Sequence, residues 1–367
     1  MSKFAVKQPV PLPKLTFETL PAQHYPEWGF RPGTPMYPMD VNFIFMNGGM
    51  GDYICWMQAI RWLASEAKWI RGSLVMPVYF KEFAAHFLKE FPEWKMRDHT
   101  ELKGVSQKED TAPFRGPVNL ATESLNATGA HLLTCGWAYF ANKEKAPEGW
   151  DSYPQFKQED LDVMELPPEA QSLVTKKYAV VTCGLTTNSR KVPGSYWNHV
   201  INHIISKGLT PVFLGKSKME TGNTANIHTK YSDEVRFDLG LDLREKTSIL
   251  QAAAIMSRAA VVIGHDNGLL HLAGCTAVPI VFGYNIASPE HREPRRPVGK
   301  TYNVVLTQKE LVCNFCQSKT NFVLGFVFRD CFYSDNLCIT KLFENEAARW
   351  KTQIDLALAD GETNVTE

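Results

Sequence analysis

One stretch of the chain decides its fold, and it is Val261-Val-Ile-Gly-His-Asp-Asn-Gly-Leu-Leu-His-Leu-Ala-Gly-Cys-Thr-Ala-Val-Pro-Ile-Val-Phe-Gly283. Apolar residues 261–263 end at a glycine and a polar cluster, after which apolar residues recur at helical spacing. A second apolar run, 278–282, ends at Gly283. This order predicts a parallel strand–helix–strand unit. Its polar turn lies at the edge where open α/β sheets bind ligands and where helix N–H groups attract anions.

Four residues of this turn are candidate phosphate ligands: Asp266, Asn267, Gly268 and His271. Gly268 would let a ligand approach the backbone closely, at the positive end of the helix dipole. The same residues also suit ordinary turn and cap chemistry, with His271 as a hydrogen-bonded core histidine. Residue types alone leave both interpretations open, and a second glycine-rich turn far upstream favours the ligand site.

The second turn follows strand-like residues 43–46 and contains Gly48, Gly49 and Gly51. Asp52 comes next, at the start of a helix with an apolar face. The spacing differs from the GxGxxG dinucleotide fingerprint, and the phosphate-loop lysine is missing. Asp52 suits two roles, a helix cap or a carboxylate at the rim of a cleft that accepts a proton.

A third turn lies between these two in the sequence. Residues 177–184 are a predicted strand, and the polar loop 185–191 follows it before a helix begins at Pro193. Arg190 and Lys191 in this loop are suited to pair with a diphosphate. Alone, they would be interpreted as solvated cations on a surface loop. Together with the other two turns, they favour an anion site.

In this order and spacing, the three turns resemble glycosyltransferase family nine, the bacterial heptosyltransferase-like enzymes. The resemblance covers residues 41–340 and rests on four segments: Gly48-Gly-Met-Gly-Asp52, Lys191-Val-Pro193 with Tyr196-Trp197, Leu214-Gly215 with Glu220, and Gly264-His-Asp-Asn-Gly-Leu-Leu-His-Leu-Ala273. The last segment is the specific one, and the others gain weight in combination. Asn267 departs from the family pattern, which has threonine or serine there.

The resemblance implies an α/β fold of the GT-B type, in which two Rossmann-like domains face each other across a cleft. Residues 41–165 would form the N-terminal acceptor domain, and residues 170–338 the C-terminal nucleotide-sugar domain. The implied reaction is inverting, metal-independent transfer of a sugar to a hydroxyl acceptor, as in glycan or lipopolysaccharide synthesis. The nucleotide-diphosphate sugar would be the co-substrate, with no other cofactor.

Roles for single residues also follow from the resemblance. Asp52 would be the general base, and Glu220 would bind the ribose hydroxyls. The helix that begins near Asn267 would meet the diphosphate, with positive charge added by Lys191 and Arg190. The implied donor-binding set is Arg190, Lys191, Glu220, Asp266, Asn267, Gly268 and His271, beside the glycine-rich turn of Gly48, Gly49 and Gly51.

Two alternatives remain open. The less recognisable acceptor region, residues 70–169, fits a transferase that acts on a protein or on a modified DNA base, including a bacteriophage enzyme. A non-catalytic protein that binds nucleotide sugars is the other alternative. Asp52 argues against it, because binding alone needs no base across the cleft.

Composition fits a large enzyme with two domains, since 367 residues suffice for two of ordinary size. Hydrophobic residues make up 44% and charged residues 21%, which supports a packed core. With 39 basic and 39 acidic side chains, the zero net charge argues against an extended nucleic-acid-binding surface. The absence of a membrane-spanning apolar stretch and of a signal peptide predicts a cytoplasmic location. The acceptor would be a glycan, a lipid-linked compound or another hydroxyl compound.

The flanking segments give weaker signals. The prolines in residues 1–40 predict an extended arm. For residues 339–367 the pattern predicts a terminal helix, from Ile339 to Leu358, and a tail after it. In the first domain, the pattern predicts strands over 73–79 and 131–134 and a helix over 80–91.

Acidic residues and cysteines raise the question of metal sites. Residues 159–168 are an acidic linker whose Asp160-Leu-Asp162 matches an Asp-x-Asp metal motif, but it lacks the strand context that such a site needs. Four cysteines crowd the C-terminal part: Cys313, Cys316, Cys331 and Cys338. Their spacing favours zinc over disulfides but is an incomplete ribbon pattern, so reduced thiols are the default and structural zinc the alternative.

Overall fold

The computed structural model describes most of the chain in separate ranges. These are residues 39–44, 49–66, 70–98, 145–184, 192–216, 234–305 and 343–363, with shorter pieces at 131, 133–134, 136–137, 190, 218–219, 227–228 and 315. Several predictions fall outside the described residues: the arm up to residue 38, Gly48, Lys191, Glu220, and the cysteines Cys313, Cys316, Cys331 and Cys338. For these residues the predictions remain predictions.

The described residues of the N-terminal half contain a parallel sheet of three strands. They are β1 (Met39–Ile44), β2 (Ile70–Met76) and β3 (Lys95–Asp98), in that order. The helices α1 (Met50–Glu66) and α2 (Val78–Phe87) connect them. The alternation of strand and helix follows the predicted pattern, and the polar turn between β1 and α1 lies at the carboxyl edge of the sheet.

Two local predictions in this half shift, and one is wrong. The strand predicted over 73–79 and the helix predicted over 80–91 exist but lie closer to the N-terminus, because Pro77 separates strand from helix. The strand predicted over 131–134 is wrong, since the described residues from Leu133 to Trp137 are helical. These two side chains are fully buried and four residues apart, a helical spacing that a short apolar run does not reveal.

The predicted acidic linker is partly helical. It forms α3 (Gln158–Asp162), and a 3-10 helix follows at Pro168–Thr175. The Asp160 carboxylate lies 3.0 Å from the Lys89 ammonium, and Asp162 accepts a hydrogen bond from Gln158. Neither carboxylate lies in a group that could hold a metal ion, and the described residues contain no group of three or more such ligands.

The C-terminal half contains a parallel sheet of six strands. They are β4 (Tyr178–Thr182), β5 (Thr210–Phe213), β8 (Leu241–Asp242), β9 (Val261–His265), β10 (Ile280–Tyr284) and β11 (Thr301–Val305). A separate antiparallel pair consists of β6 (Lys218–Met219) and β7 (Ile227–His228). The order in the sheet is β11-β10-β9-β4-β5-β8. The chain therefore reverses its direction of growth between β4 and β9, and such a switch point opens a ligand-binding crevice.

Five helices accompany this sheet. They are α4 (Gly194–Ser206), α5 (Ile249–Ser257), α6 (Gly268–Ala273), α7 (Pro289–Arg292) and α8 (Phe343–Thr363). The predicted terminal helix is present as α8, in which Trp350 is fully buried and packs edge-on against Trp197 of α4. Among the described helices, none has both the length and the apolar character needed to cross a membrane.

Candidate active site

The two glycine-rich turns meet where the halves of the molecule contact each other. A Cβ atom on Gly268, the first residue of α6, would lie 2.8 Å from Cβ of Met50 at the start of α1. A Cβ atom on Gly51 would lie 2.5 Å from Cδ2 of His271. Real Cβ atoms do not approach that closely, so these glycines allow two helix ends to touch. The sequence predicted that Gly268 admits a ligand, whereas in the structure its neighbour is Met50.

Asp52 lies next to this contact, in the first turn of α1. Its Oδ2 accepts a 2.8 Å hydrogen bond from the N–H of Gly49, which is half of a capping box. Its Oδ1 lies 3.4 Å from Nη1 of Arg292, which belongs to α7 in the other half. The side chain remains 24% exposed. The two predicted roles of Asp52 are therefore compatible, because a cap bond to one oxygen leaves lone pairs for another partner.

Asp266 is the buried counterpart of Asp52, with only 3% of its side chain exposed. Nη2 of Arg190 lies 3.5 Å from its Oδ2, and Nε2 of His271 lies 3.6 Å from its Oδ1. Burial alone would raise the pKa of this carboxyl. The charge of Arg190 and the hydrogen bond of His271 outweigh burial, so its pKa lies well below the usual range. Asp266 therefore stays ionised and anchors Arg190, whose guanidinium also donates to the Asp266 carbonyl.

Arg292 contacts Asp52 from the other half, and the sequence analysis missed it. Its side chain is 7% exposed, and the charge of Asp266 also acts on it. Burial alone would lower the pKa of Arg292, but the two carboxylates raise it above its ordinary value. The signal that could have found it is its position in Pro289-Glu-His-Arg292, shortly after β10 ends at the carboxyl edge that carries the other turns.

The chain is similar to known proteins in sequence and in fold. Residues 134–324 match the family model of glycosyltransferase family 9 (heptosyltransferase), which is more than half of the chain. The chain belongs to glycosyltransferase family 9. The lipooligosaccharide heptosyltransferase 2 of Haemophilus influenzae is 23% identical over 155 residues, which are 38% of this chain and 44% of that protein. The match therefore spans less than half the length of this curated relative.

Solved structures share the overall fold with this family 9 chain. TibC from enterotoxigenic E. coli, described as an iron-containing dodecameric glycosyltransferase, has a TM-score of 0.58 at 16% identity, covering 90% of this chain and 78% of TibC. The family 9 protein of Veillonella parvula has a TM-score of 0.57 at 11% identity, with 89% and 99% covered. The ADP-heptose lipopolysaccharide heptosyltransferase II of E. coli has a TM-score of 0.54 at 13% identity, with 88% and 100% covered. The predicted GT-B fold is confirmed.

Asn267 caps α6, at the position where this chain departs from the family 9 pattern. Its Oδ1 accepts hydrogen bonds from the N–H groups of Leu269 and Leu270, at 3.0 and 3.2 Å. Its Nδ2 donates to the carbonyl and hydroxyl oxygens of Thr182 in β4. An amide accepts and donates at once, so it closes the helix end and ties β4 to β9. Two of the helix N–H groups that were predicted to meet a phosphate are therefore bonded to Asn267.

His271 belongs to a buried hydrogen-bond chain. Its Nδ1 lies 2.8 Å from the Tyr153 hydroxyl, which accepts a hydrogen bond from the Cys55 thiol at 3.0 Å. If the thiol donates to Tyr153 and Tyr153 donates to Nδ1, then Nε2 carries the remaining hydrogen and faces Asp266. His271 therefore braces Asp266 rather than facing solvent. Tyr153 is a second residue that the sequence analysis missed, since nothing in its local pattern marks it.

Proposed function

We propose that this protein transfers a sugar from a nucleotide-diphosphate sugar to a hydroxyl acceptor, with inversion at the anomeric carbon. Membership of glycosyltransferase family 9 and the GT-B fold support this reaction class. The single observation that carries the proposal is the 3.4 Å contact between a partly exposed carboxylate, Asp52, and the buried cation Arg292 of the other half. In this proposal the base belongs to the N-terminal half and the anion-binding groups belong to the C-terminal half.

Asp52 is the general base in this proposal. Its carboxylate removes the proton of the acceptor hydroxyl, and the acceptor oxygen forms a bond to the anomeric carbon. The bond between that carbon and the diphosphate oxygen breaks on the opposite face, and the nucleoside diphosphate leaves with the electron pair. A single displacement of this kind inverts the configuration.

Positive side chains take the charge of the departing diphosphate. Arg190 is held by Asp266, which His271 braces in turn. Lys191, next in the sequence, is a second cation for the leaving group, and Glu220 remains the candidate for the ribose hydroxyls. Asn267 and Gly268 shape the turn in this proposal, because the N–H groups beyond them are already bonded. Charge-assisted hydrogen bonds to preorganised cations stabilise such a transition state.

ADP-heptose is the donor to test first. A structure of TibC, with a TM-score of 0.57 to this chain, is described as a complex with ADP-D-beta-D-heptose. A glycan or lipid-linked sugar is the corresponding acceptor, and a cytoplasmic location belongs to the same proposal. Transfer independent of a divalent cation is also proposed, since Arg190 and Lys191 supply the positive charge. The description of TibC as iron-containing makes metal analysis of the purified protein a necessary companion measurement.

The experiment measures release of nucleoside diphosphate from a panel of nucleotide sugars, with and without acceptor glycans and in the presence of EDTA. We expect ADP release that depends on acceptor and persists in EDTA, with inverted configuration in the product by NMR. Binding of a nucleotide sugar without release for any acceptor would instead support a non-catalytic binding protein. Activity lost in EDTA and regained with magnesium or manganese would refute metal independence. Recovery with zinc or iron alone would point to Cys313, Cys316, Cys331 and Cys338.

A further inference from the structure

Arg292 is held more loosely than its burial leads one to expect. The 3.4 Å contact with Oδ1 of Asp52 is the only hydrogen bond that its guanidinium makes among the described residues. Its Nε is buried and has no hydrogen-bond partner there. A guanidinium carries five N–H donors, and leaving such donors buried without partners is costly.

Other arginines of the chain show what a structural ion pair looks like. Arg244 binds both oxygens of Asp242 at 2.9 and 2.7 Å, and Arg236 binds Asp238 in the same two-pronged way. Arg292 has no such geometry, although it is the most buried of the three. A cation kept in place only to join the two halves would be expected to form the tighter contact.

The surroundings of Arg292 indicate which ligand suits its remaining donors. Asp52 contacts it directly, and the charge of Asp266 also acts on it. Arg292 thus lies at the junction of the two halves with donors to spare among the described residues. Phosphate oxygens fit this fork geometry better than any neutral group does.

We propose that Arg292 binds the diphosphate of the nucleotide donor with its remaining N–H donors while it holds Asp52. This proposal rests on the glycosyltransferase function proposed above and adds a residue to its donor site. One cation then contacts both the leaving group and the base. When the donor binds, Arg292 shares its charge between the diphosphate and Asp52, so the base is positioned relative to the bond that breaks.

The test compares the binding of ADP, AMP and adenosine to four proteins by calorimetry. These are the wild type, Arg292→Met, Arg292→Lys and the control Arg295→Met. Methionine removes the charge and keeps much of the volume, whereas lysine keeps a cation beside Asp52 but loses the planar fork. Arg295 is a matched control, because it lies three residues away and pairs with Asp151 at the surface.

We expect Arg292→Met to weaken ADP binding by roughly 30- to 100-fold, the scale of lost charge-assisted hydrogen bonds. Adenosine binding should be unchanged, so the preference for ADP over adenosine should collapse. Arg292→Lys should fall between Arg292→Met and the wild type, and Arg295→Met should match the wild type. Thermal melts check that each variant is folded.

Unchanged ADP binding in folded Arg292→Met would overturn the assignment and leave the proposed transferase function intact. An equal loss for ADP and adenosine would overturn it too, because the defect would then be a general one. If Arg292→Met does not fold, the ADP affinity of Arg292→Lys tests the proposal instead. An affinity equal to that of the wild type would then refute it. Failure of the wild-type protein to bind ADP, UDP and GDP is a different result, since it refutes the proposed function itself.

Discussion

The two glycine-rich turns are similar in sequence and opposite in structure. Each places an aspartate and glycines between a strand and a helix, yet Asp52 keeps 24% of its side chain exposed and Asp266 only 3%. We call the first one the open turn, since among the described residues the Asp52 carboxylate bonds only to Gly49 and Arg292 and stays partly exposed. The C-terminal turn is closed on both sides of Gly268. Asn267 caps the helix through the N–H of Leu269, and His271 contacts the Asp266 carboxylate. This difference fits the proposed function, in which the first turn supplies the base and the second holds the structure around Arg190.

The largest expected effect is on the reactivity of the open turn. Asp52→Asn should lower turnover by about 10²–10⁴-fold, because an amide cannot take the acceptor proton. Nucleoside-diphosphate binding should stay within a few-fold of the wild type. Single-turnover rates and calorimetry measure the two quantities. Full turnover in this variant would reduce Asp52 to a helix cap and remove the contrast between the turns.

Replacing the aspartate of the closed turn, Asp266, with asparagine should lower the stability of the folded protein. Asp266→Asn leaves Arg190 and Arg292 near a neutral group, and loss of one partner of a buried charge cluster costs about 3–5 kcal/mol. Chemical denaturation measures the change in the free energy of unfolding. Asp238→Asn is the control, since Asp238 pairs with Arg236 at the surface, and it should change little. Equal stability of the two variants would contradict a structural role for Asp266.

The closed turn should also make the protein sensitive to acid. Burial lowers the pKa of His265 to about 4, below its unfolded value of about 6.5. Between these values the unfolded state binds the proton more strongly, so the free energy of unfolding falls as pH falls. For His265 the loss is about 3 kcal/mol across the window. His131, with its pKa lowered to about 3, acts in the same direction.

Denaturation curves between pH 7 and pH 4 test this dependence. His265→Gln should show a flatter profile than the wild type, because glutamine does not titrate and still offers an amide to Asn285. Below this window, stability should fall further as Asp266 becomes protonated, since its pKa is lowered in the folded state. Identical profiles for variant and wild type would show that His265 is not the buried titrating group.

The smallest effect compares two glycines of the same turn. A Cβ atom on Gly49 would have ordinary contact with Asp52 at 3.7 Å, whereas one on Gly51 would displace His271. Gly51→Ala should therefore destabilise the protein by about 1–3 kcal/mol, the usual cost of overpacking. Gly49→Ala should stay within about 0.5 kcal/mol of the wild type. Thermal melts measure the stability of both variants. If Gly51→Ala were as stable as Gly49→Ala, the close approach of the two helix ends would be refuted.

Much of this architecture could be predicted from local sequence. The unit of β9, α6 and β10 was predicted from its apolar runs, and α6 begins at the predicted place, directly after Asn267. Local pattern failed where it was short, as at Leu133, where a strand was predicted and the described residues up to Trp137 are helical. A run of few apolar residues does not distinguish strand from helix, so only packing decided it.

The sequence by itself determined that strands alternate with helices and that polar turns collect at one edge of each sheet, because periodicity and turn chemistry are local properties. It did not determine which of two similar turns would be open. Tertiary structure decided that, by bringing Arg292 to Asp52 and Tyr153 to His271 across 240 and 118 positions of the chain. Burial and charge pairing depend on such distant neighbours, so the exposure of Asp52 and the closure around Asp266 follow from the fold and not from either motif.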